Sequence, residues 1–249
     1  MAQTPSRLVK NFELNVFASD AELAQNVAAK WLDRVLESSR NSQTQSVALS
    51  GGRITRQFFH EIVQQALQRK IDMTGVDFFW ADERCVPPND PESNFALANQ
   101  TLFQPLKIRE EKIHRLRGEL DPASACEQAN REIREIVSTV VAGQPKLDFI
   151  FLGVGEDGHV ASLFPNASAE TKNRKETFFF VNDSPKPPPQ RITLSYAAIA
   201  AAKEVWVLAS GKGKEPVVAD SISEFGTTPL ATVLKSRPHT KIFTDLRLP

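Results

Sequence analysis

The chain has 249 residues, of which 41% are hydrophobic and 24% are charged, and its 30 basic and 30 acidic side chains give a formal net charge of zero. This composition is ordinary for a globular protein, and the lack of net positive charge disfavours nucleic acid or an acidic membrane as a partner. The two cysteines, Cys85 and Cys126, are too few for a disulfide framework or a cysteine-rich zinc site. Because the sequence shows neither a signal-peptide pattern nor an apolar run long enough to span a membrane, we expect a cytoplasmic protein.

The first half of the chain alternates helical and strand patterns. Apolar residues recur at three- and four-residue spacing over residues 24–35, which predicts an amphipathic helix with Asp20 as its N-cap. A nearly continuous apolar run over residues 46–49 predicts a strand that is buried on both faces, and a helix is expected to begin at about Thr55. Residues 76–81 predict a second buried strand for the same reason.

The second half continues this alternation. Asp121 is the expected N-cap of a helix that we predict to stop near Gly143. Residues 147–152 and 205–209 are apolar runs that predict two more buried strands. Between these strands, the four prolines of residues 184–190 exclude a helix and predict a rigid extended loop.

Alternating helices and strands predict an α/β fold, with a mostly parallel, Rossmann-like sheet and helices on both faces. We expect residues 1–249 to form one domain, because neither a repeat nor a long linker interrupts the pattern. The segments that follow the four predicted strands begin at Ser50, Asp82, Gly153 and Ser210, and each carries glycines or titratable side chains. Ligands bind beyond the carboxyl ends of parallel strands, so we expect these four segments to meet at one functional site.

The Ser50-Gly51-Gly52 segment lies between a predicted strand and a predicted helix. Two glycines let backbone N–H groups approach an anion, and the N-terminus of the following helix favours negative charge. These residues are therefore candidates for binding a phosphate group. Glycine also serves any tight strand-to-helix turn, so a turn without a ligand is the alternative interpretation.

The segment from Gly153 to Gly158 matches the G-x-G-x-x-G spacing of dinucleotide-binding loops. Three features disfavour a dinucleotide-binding oxidoreductase. The motif lies in the middle of the chain, Glu156 and Asp157 would repel a pyrophosphate, and Pro165 follows too soon for a helix of useful length. We therefore expect no cofactor, and no metal either, since no convincing cluster of metal ligands is apparent.

His159 is the most informative of the four histidines, because it follows this glycine loop and Asp157 precedes it by two residues. An imidazole is near half-protonated around neutral pH and can take a proton from water and return it, while a carboxylate can orient the ring. Taken alone, a histidine here is equally compatible with a structural role. The others, His60, His114 and His239, lie in a predicted helix or in or near loops and are interpreted as structural or solvated.

Asp82, Glu83 and Arg84 bring acid, base and cation together directly after a predicted strand, although a surface ion-pair cluster would have the same sequence. Arg191 precedes a strand-like segment, and Lys214 follows a Gly-x-Gly at an expected helix start. Either cation is suited to clamp a phosphate, and either is equally compatible with a solvated surface position.

Several of these segments together resemble the 6-phosphogluconolactonase family, over a region from about Phe17 to Asp245. The segments that carry the resemblance are Ser50-Gly51-Gly52, Asp82-Glu83-Arg84 with Asp90 and Ser93-Asn94, Leu152 to Gly155 with Asp157-Gly158-His159, Ser162-Leu163-Phe164-Pro165, and Asp183 to Arg191 with Thr193. The resemblance implies hydrolysis of 6-phospho-D-glucono-1,5-lactone to 6-phospho-D-gluconate in the oxidative pentose phosphate pathway. It also implies the α/β fold shared with glucosamine-6-phosphate deaminases and ribose-5-phosphate isomerases.

The resemblance further implies roles for the candidate residues. His159 would be the general base, and Asp157 would assist it. The residues implied to face the phosphate are Ser50, Gly51, Gly52, Arg191 and Lys214. The residue after the double glycine is often Ser or Thr in such loops, and Arg53 stands at this position. The hydroxyl contact that Ser or Thr would make is therefore lost. The side chain of Arg53 either adds a positive charge near the phosphate or points to solvent.

The resulting hypothesis is a lactonase in which His159 activates water and Arg84 or backbone N–H groups stabilise the oxyanion. One alternative is a glucosamine-6-phosphate deaminase or aldose–ketose isomerase with Asp82 as the proton-shuttling base. Another is a sugar-phosphate sensor without catalytic activity. The expected partner is a small sugar phosphate, with no nucleic acid and no membrane, and the chain is expected to be a monomer or a weak oligomer.

Overall fold

The computed structural model describes residues 11–248; the first ten residues and Pro249, which the predicted single domain includes, lie outside the described residues. The strands are β1 Phe12–Val16, β2 Gln45–Leu49, β3 Val76–Trp80, β4 Asp82–Arg84, β5 Val140–Val141, β6 Gln144–Pro145, β7 Phe149–Gly153, β8 Phe178–Val181, β9 Arg191–Leu194, β10 Glu204–Ala209 and β11 Thr240–Thr244. The α-helices are α1 Asp20–Arg40, α2 Arg53–Arg69, α3 Asn94–Ala98, α4 Gln104–Leu106, α5 Pro122–Ile136, α6 Ala169–Lys172, α7 Tyr196–Ala201, α8 Glu215–Ile222 and α9 Pro229–Ser236. A π-helical turn at Asn99–Phe103 and a 3₁₀ turn at Glu110–Lys112 complete the helical segments of this region.

The main sheet has six strands in the order β1-β11-β10-β7-β2-β3, and every pair is parallel. The four predicted strands correspond to β2, β3, β7 and β10, with bounds that differ by up to two residues. All residues of β3 and nearly all of β7 and β10 are buried, so elements cover both faces of the sheet centre. The predicted α/β fold with a mostly parallel sheet is confirmed. Within residues 11–248, no helix is both long enough and apolar enough to cross a membrane.

A second, antiparallel sheet in the order β4-β9-β8 lies beside the main one. The segment that follows the second predicted strand is itself a short strand, because Asp82–Arg84 pairs with β9. Ala81 alone separates β3 from β4 and bonds to both sheets. Its N–H donates to the Leu49 carbonyl at 2.7 Å, and its carbonyl accepts from the Leu194 N–H at 2.8 Å.

Aromatic packing fixes α1 and α2 against the main sheet. The fully buried Trp31 of α1 contacts the ring of Phe58 on α2, with centroids 6.4 Å apart, and the rings of Phe78 and Phe151 on the sheet, at 6.4 Å and 5.7 Å. Large aromatic side chains contribute much of the apolar area of a core. This contact therefore holds the N-terminus of α2, at Arg53, in a defined position at the edge of the sheet.

The start of α1 differs from the prediction by one residue. The N-cap is Ser19, whose hydroxyl accepts the N–H of Glu22 at 3.2 Å, and Asp20 is the first helical residue. Ser19 has the extended backbone that an N-cap requires, while the carboxylate of Asp20 lies in the first turn and complements the positive end of the helix.

The end of α5 also differs from the prediction. Asp121 is the N-cap as predicted, but the helix ends at Ile136 rather than near Gly143. Val140–Val141 instead pairs with Gln144–Pro145 in a hairpin, and Ala142 and Gly143 adopt positive φ values of 49° and 79° in its turn. Two positive φ values match the twist of a two-residue hairpin turn, and β-branched valines favour a strand over a helix.

His114 links the 3₁₀ turn to β3 and α5. Its Nε2 lies 3.1 Å from Asp77 Oδ1, its Nδ1 lies 2.9 Å from Glu132 Oε1, and its ring stacks on Phe79. Burial disfavours the charged ring, but the hydrogen bonds to the two carboxylates outweigh burial and raise the pKa of His114. His114 is therefore a structural residue that holds three elements together, which agrees with the interpretation from the sequence.

The substitution His114→Gln should remove a pH-dependent part of the stability. Because the pKa of His114 is raised in the folded chain, its charged ring stabilises the fold fully below the unfolded value of about 6.5. This contribution is lost as the pH rises through the folded pKa. In urea unfolding, wild type should therefore exceed the variant in free energy of unfolding by more near pH 6 than near pH 8. His60→Gln, at an exposed position of α2, is the matched control; a difference that stays constant with pH would contradict the role of His114.

Candidate active site

The segments that follow β2, β3, β7 and β10 meet at one edge of the main sheet, as their parallel direction requires. They form an open cleft that contains every predicted site residue except Asp157, which lies behind His159. The lining residues are Ser50, Gly51, Gly52, Arg53, Ile54, Asp82, Arg84, Asn94, Gly153, Val154, Gly155, His159, Ala161, Arg191 and Lys214.

The glycine turn at the start of α2 exposes backbone rather than side chains to the cleft. Gly52 has a φ of 114°, in a region that favours glycine, and no side chain caps the helix that follows. A Cβ atom on Gly51 would overlap with the side chain of Asn94, so this position also requires glycine. The hydroxyl of Ser50 donates to the Phe151 carbonyl at 2.8 Å and is therefore committed to the neighbouring strand. What remains available is an uncapped helix N-terminus, which suits an anion.

Two cations flank this turn without a partner. Arg53 and Lys214 form no ion pair and no side-chain hydrogen bond within the part of the chain that the structure describes. The guanidinium of Arg53 lies against Gly211, where an added Cβ atom would be 2.8 Å from its Nη2. Burial, with Arg53 nearby, lowers the pKa of Lys214. An anion between these cations would relieve their repulsion, so the glycine turn, Arg53 and Lys214 together form a candidate phosphate subsite.

His159 and Asp157 form a hydrogen-bonded pair beside this subsite. His159 Nδ1 lies 2.5 Å from Asp157 Oδ1, which assigns the proton to Nδ1 and leaves Nε2 as an acceptor. Burial lowers the pKa of His159, so the neutral ring is favoured. Burial alone would raise the pKa of Asp157, but the hydrogen bond from His159 lowers it, so the carboxylate is ionised. The pair therefore has the protonation states of a general base and its orienting carboxylate.

The glycine-rich loop is shaped around this pair. A Cβ atom on Gly155 would overlap with the His159 ring and the Asp157 carboxylate, and the Gly155 N–H donates to the His159 carbonyl at 2.9 Å. The loop thus turns back on itself, and the next helix begins only at Ala169. A dinucleotide-binding loop would lead directly into a helix whose N-terminus meets the pyrophosphate. The geometry therefore disfavours the dinucleotide interpretation.

Strand β4 separates the roles of its three charged residues. Asp82 lines the cleft, where its carboxylate accepts hydrogen bonds from Ser162 at 2.7 Å and from Asn94 at 3.3 Å. Arg84 also lines the cleft, and its guanidinium donates to the Glu92 carbonyl. Glu83 does not line the cleft.

Glu83 instead anchors the start of α3. Its buried carboxyl group accepts the N–H groups of Arg84, Asn94 and Phe95 and the hydroxyl of Ser93. Burial raises its pKa to about 7 in spite of these bonds. Glu83 therefore holds Asn94 against the glycine turn, and Asn94 is a cleft residue to which the sequence had assigned no role.

Arg191 lies in the cleft wall, but most of its hydrogen bonds are used within the protein. Its Nε donates to the Pro188 carbonyl at 3.0 Å, and its Nη2 donates to the carbonyls of Lys186 and Pro187, both at 3.1 Å. The guanidinium also lies 5.6 Å from the ring centre of Phe164, which packs on His159. Arg191 therefore contributes positive charge to the cleft and supports its walls, while Arg53 and Lys214 are the better placed for direct phosphate contact.

The proline-rich segment differs from the extended loop predicted for it. The Ser184 N–H donates to the Pro189 carbonyl at 2.9 Å, so the segment folds into a closed turn. Lys186 projects from this turn, with its Nζ 3.9 Å from Asp157 Oδ1. The sequence showed no signal for this contact, since 29 residues separate the two positions.

The α/β fold, the candidate phosphate subsite and the histidine–carboxylate pair are the features expected of a protein that acts on small phosphorylated molecules. The model of the family described as glucosamine-6-phosphate isomerases/6-phosphogluconolactonase matches residues 18–242, and the chain belongs to this family. Among the described residues, no group of three or more His, Cys, Asp or Glu side chains is arranged to hold a metal ion.

Relatives within the family are similar over most of their length. The 6-phosphogluconolactonase of Streptomyces coelicolor is 34% identical over 233 residues, which cover 91% of this chain and 86% of the relative. That of Haemophilus influenzae is 32% identical and covers 83% of this chain and 84% of its own. The solved structure of 6-phosphogluconolactonase from Trypanosoma cruzi superposes with a TM-score of 0.81 at 26% identity, covering 93% and 94% of the two chains.

The substitutions Arg53→Gln and Lys214→Gln should each weaken the binding of inorganic phosphate by about tenfold, since each removes one charge-assisted contact. Isothermal titration with phosphate at fixed ionic strength would measure this. Lys212→Gln is the matched control, because Lys212 is exposed in the same loop as Lys214 and does not line the cleft. Unchanged affinity in both cleft variants would show that phosphate does not bind between these residues.

Proposed function

We propose that the protein hydrolyses 6-phospho-D-glucono-1,5-lactone to 6-phospho-D-gluconate in the oxidative pentose phosphate pathway. The observation that carries the proposal is the position of His159. Its Nδ1 is tied to Asp157, and it lies in the same cleft as the candidate phosphate subsite. Relatives that carry the name of this activity and match most of the chain support the choice of substrate.

His159 is the general base in this proposal. Its Nε2 takes a proton from water as the water oxygen bonds to the lactone carbonyl carbon. The resulting tetrahedral oxyanion collapses, the bond from this carbon to the ring oxygen breaks, and the imidazolium returns the proton to the ring oxygen as it becomes a hydroxyl group. The carboxylic acid that forms then ionises. General acid–base catalysis of this kind supplies roughly 10²–10⁴-fold in rate.

Asp157 stabilises the imidazolium that forms between the two proton transfers and holds the ring in the correct tautomer. The phosphate subsite at Gly51, Gly52, Arg53 and Lys214 holds the far end of the substrate. Fixing that end lowers the entropic cost of bringing the carbonyl carbon to His159. Arg84 and the loop N–H groups are the proposed donors to the oxyanion.

The family description also covers glucosamine-6-phosphate isomerases. If the protein had that activity, Asp82, which lies in the same cleft, would be the base. Ammonia release from glucosamine 6-phosphate would identify that activity. The cytoplasmic location and the monomeric or weakly associated state remain predictions from the sequence.

The substitution His159→Gln should lower kcat for lactone hydrolysis by about 10²–10⁴-fold, because glutamine cannot accept the proton. Freshly generated lactone, coupled to 6-phosphogluconate dehydrogenase, gives the rate above the spontaneous background. His60→Gln serves as the control and should keep the wild-type rate. Near-normal turnover in the His159 variant would exclude it as the base, and ammonia release by wild type without lactone hydrolysis would identify the isomerase branch.

The pH dependence of kcat/KM should reflect the environment of His159. Since the base acts when neutral and burial lowers its pKa, activity should fall on the acid side with a midpoint below the ordinary value of about 6.5. Asp157 raises the pKa of His159, so Asp157→Asn should move this midpoint to still lower pH and reduce kcat through loss of ring orientation. Glu156→Gln, an exposed neighbour in the same loop, should leave the midpoint in place. A midpoint that rises in Asp157→Asn would contradict this arrangement.

A further inference from the structure

Asp82 is a cleft residue that has no role in the hydrolysis proposed above. It lines the same cleft as His159 and Lys214, although only 5% of the residue is exposed. Within residues 11–248 its carboxylate forms no ion pair, and the side-chain groups that donate to it, those of Ser162 and Asn94, are both neutral. Burial of a carboxylate is costly unless hydrogen bonds replace the water that it loses, so the acceptor positions of Asp82 need donors.

The hydrogen bonds within the protein leave part of this carboxylate free. The hydroxyl of Ser162 donates to Oδ2 at 2.7 Å, and the side-chain amide of Asn94 donates to Oδ1 at 3.3 Å. The second contact is weak, because the same amide makes a shorter bond of 2.8 Å to the Asp82 carbonyl. A carboxylate has about four acceptor positions, so about two of them remain for donors that enter the cleft.

The free positions are held in a fixed direction. The backbone of Asp82 pairs with Thr193 of β9, and the Thr193 hydroxyl accepts the N–H of Ser162 at 3.1 Å. On the other side, the carboxyl group of Glu83 accepts the N–H of Asn94 at 2.8 Å. Both donors to Asp82 are therefore anchored to the protein themselves. An acceptor that is fixed before a ligand binds loses little conformational entropy on binding.

The substrate of the proposed reaction has three kinds of polar group. Its phosphate is an anion, and its carbonyl oxygen is an acceptor that becomes an oxyanion, so neither can donate a hydrogen bond to a carboxylate. The hydroxyl groups of the sugar ring are the donors. Asp82 is close to the reacting end of the cleft, because it acts on the charge of His159. Burial lowers the pKa of His159, and the negative charges of Asp157 and Asp82 oppose that effect.

We propose that Asp82 accepts hydrogen bonds from hydroxyl groups of the substrate and so determines specificity for a polyhydroxylated sugar phosphate. This assignment rests on the proposed lactone hydrolysis, in which His159 is the base and Asp82 transfers no proton. A phosphorylated ligand without these hydroxyl groups would leave the free acceptor positions of a buried carboxylate unfilled, and it would bind more weakly for that reason.

Two ligands that differ only in their hydroxyl groups test the assignment. 6-Phosphogluconate carries hydroxyl groups along its chain, and 6-phosphohexanoate has the same phosphate and carboxylate on a chain without them. Asp82→Asn should lower the ratio of the two affinities, 6-phosphogluconate over 6-phosphohexanoate, by about tenfold in calorimetric titration, because it replaces a charged acceptor by a neutral one. The ratio is the readout because loss of a negative charge affects the binding of both anions alike.

Two further variants complete the series. Asp82→Ala removes the acceptor altogether and should lower the ratio more than Asp82→Asn does. Asp183→Asn is the matched control, because Asp183 is exposed and does not line the cleft, and it should keep the wild-type ratio. A wild-type ratio in Asp82→Asn and Asp82→Ala, with circular dichroism spectra like that of wild type, would overturn the assignment.

Kinetics separate hydroxyl binding from proton transfer. Asp82→Asn should leave kcat for the lactone within about threefold of wild type near neutral pH, since hydroxyl groups that do not react are bound alike in the ground state and the transition state. A loss of about 10²-fold or more in kcat with an unchanged affinity ratio would make Asp82 a proton-transfer residue and overturn its role in specificity. If wild type does not accelerate lactone hydrolysis, the proposed function itself fails. If wild type does and the affinity ratio does not change, only the role of Asp82 fails.

Discussion

The common direction of the six strands in the main sheet is the constraint on which the site depends. Each parallel strand delivers its carboxyl end to the same edge, so segments that begin at Ser50, Gly153 and Ser210 meet although about 160 residues separate the first from the last. This convergence follows from the direction of the backbone. Side-chain size then determines the local packing, because Gly51 and Gly155 leave the space that Asn94 and the His159–Asp157 pair occupy.

The three charged residues of β4 have different roles because they lie on a strand. Successive side chains of a strand point to opposite faces, so Asp82 and Arg84 share the cleft while Glu83 points away from it. The buried carboxyl group of Glu83 then accepts backbone N–H groups at the start of α3 and places Asn94 beside Asp82. Charge alone could not separate these roles, because the sequence shows three titratable residues in a row and does not show that they form a strand.

The parts of the fold that were predictable are those in which the local pattern and the tertiary environment agree. Short, nearly continuous apolar runs identified β2, β3, β7 and β10, because strands buried on both faces have this composition. β1 and β11 mix polar and apolar residues and were missed. The candidate residues that directly follow the predicted strands could be proposed from the sequence, because the ends of the strands were predicted. The contacts of Arg191 and Lys186 could not, since they depend on how the proline-rich turn closes and on which distant loop it meets.

The backbone hydrogen bonds of Ala81 fix the two sheets on either side of the cleft relative to each other. As the one residue between β3 and β4, it bonds to the main sheet through its N–H and to the second sheet through its carbonyl. Residues from both sheets line the cleft, and this junction leaves no flexible linker about which one sheet could rotate against the other. A ligand that enters the cleft therefore meets two sheets already fixed relative to each other. Because Arg53 and Lys214 are cations that line this cleft, the association of a phosphate dianion should slow as ionic strength rises.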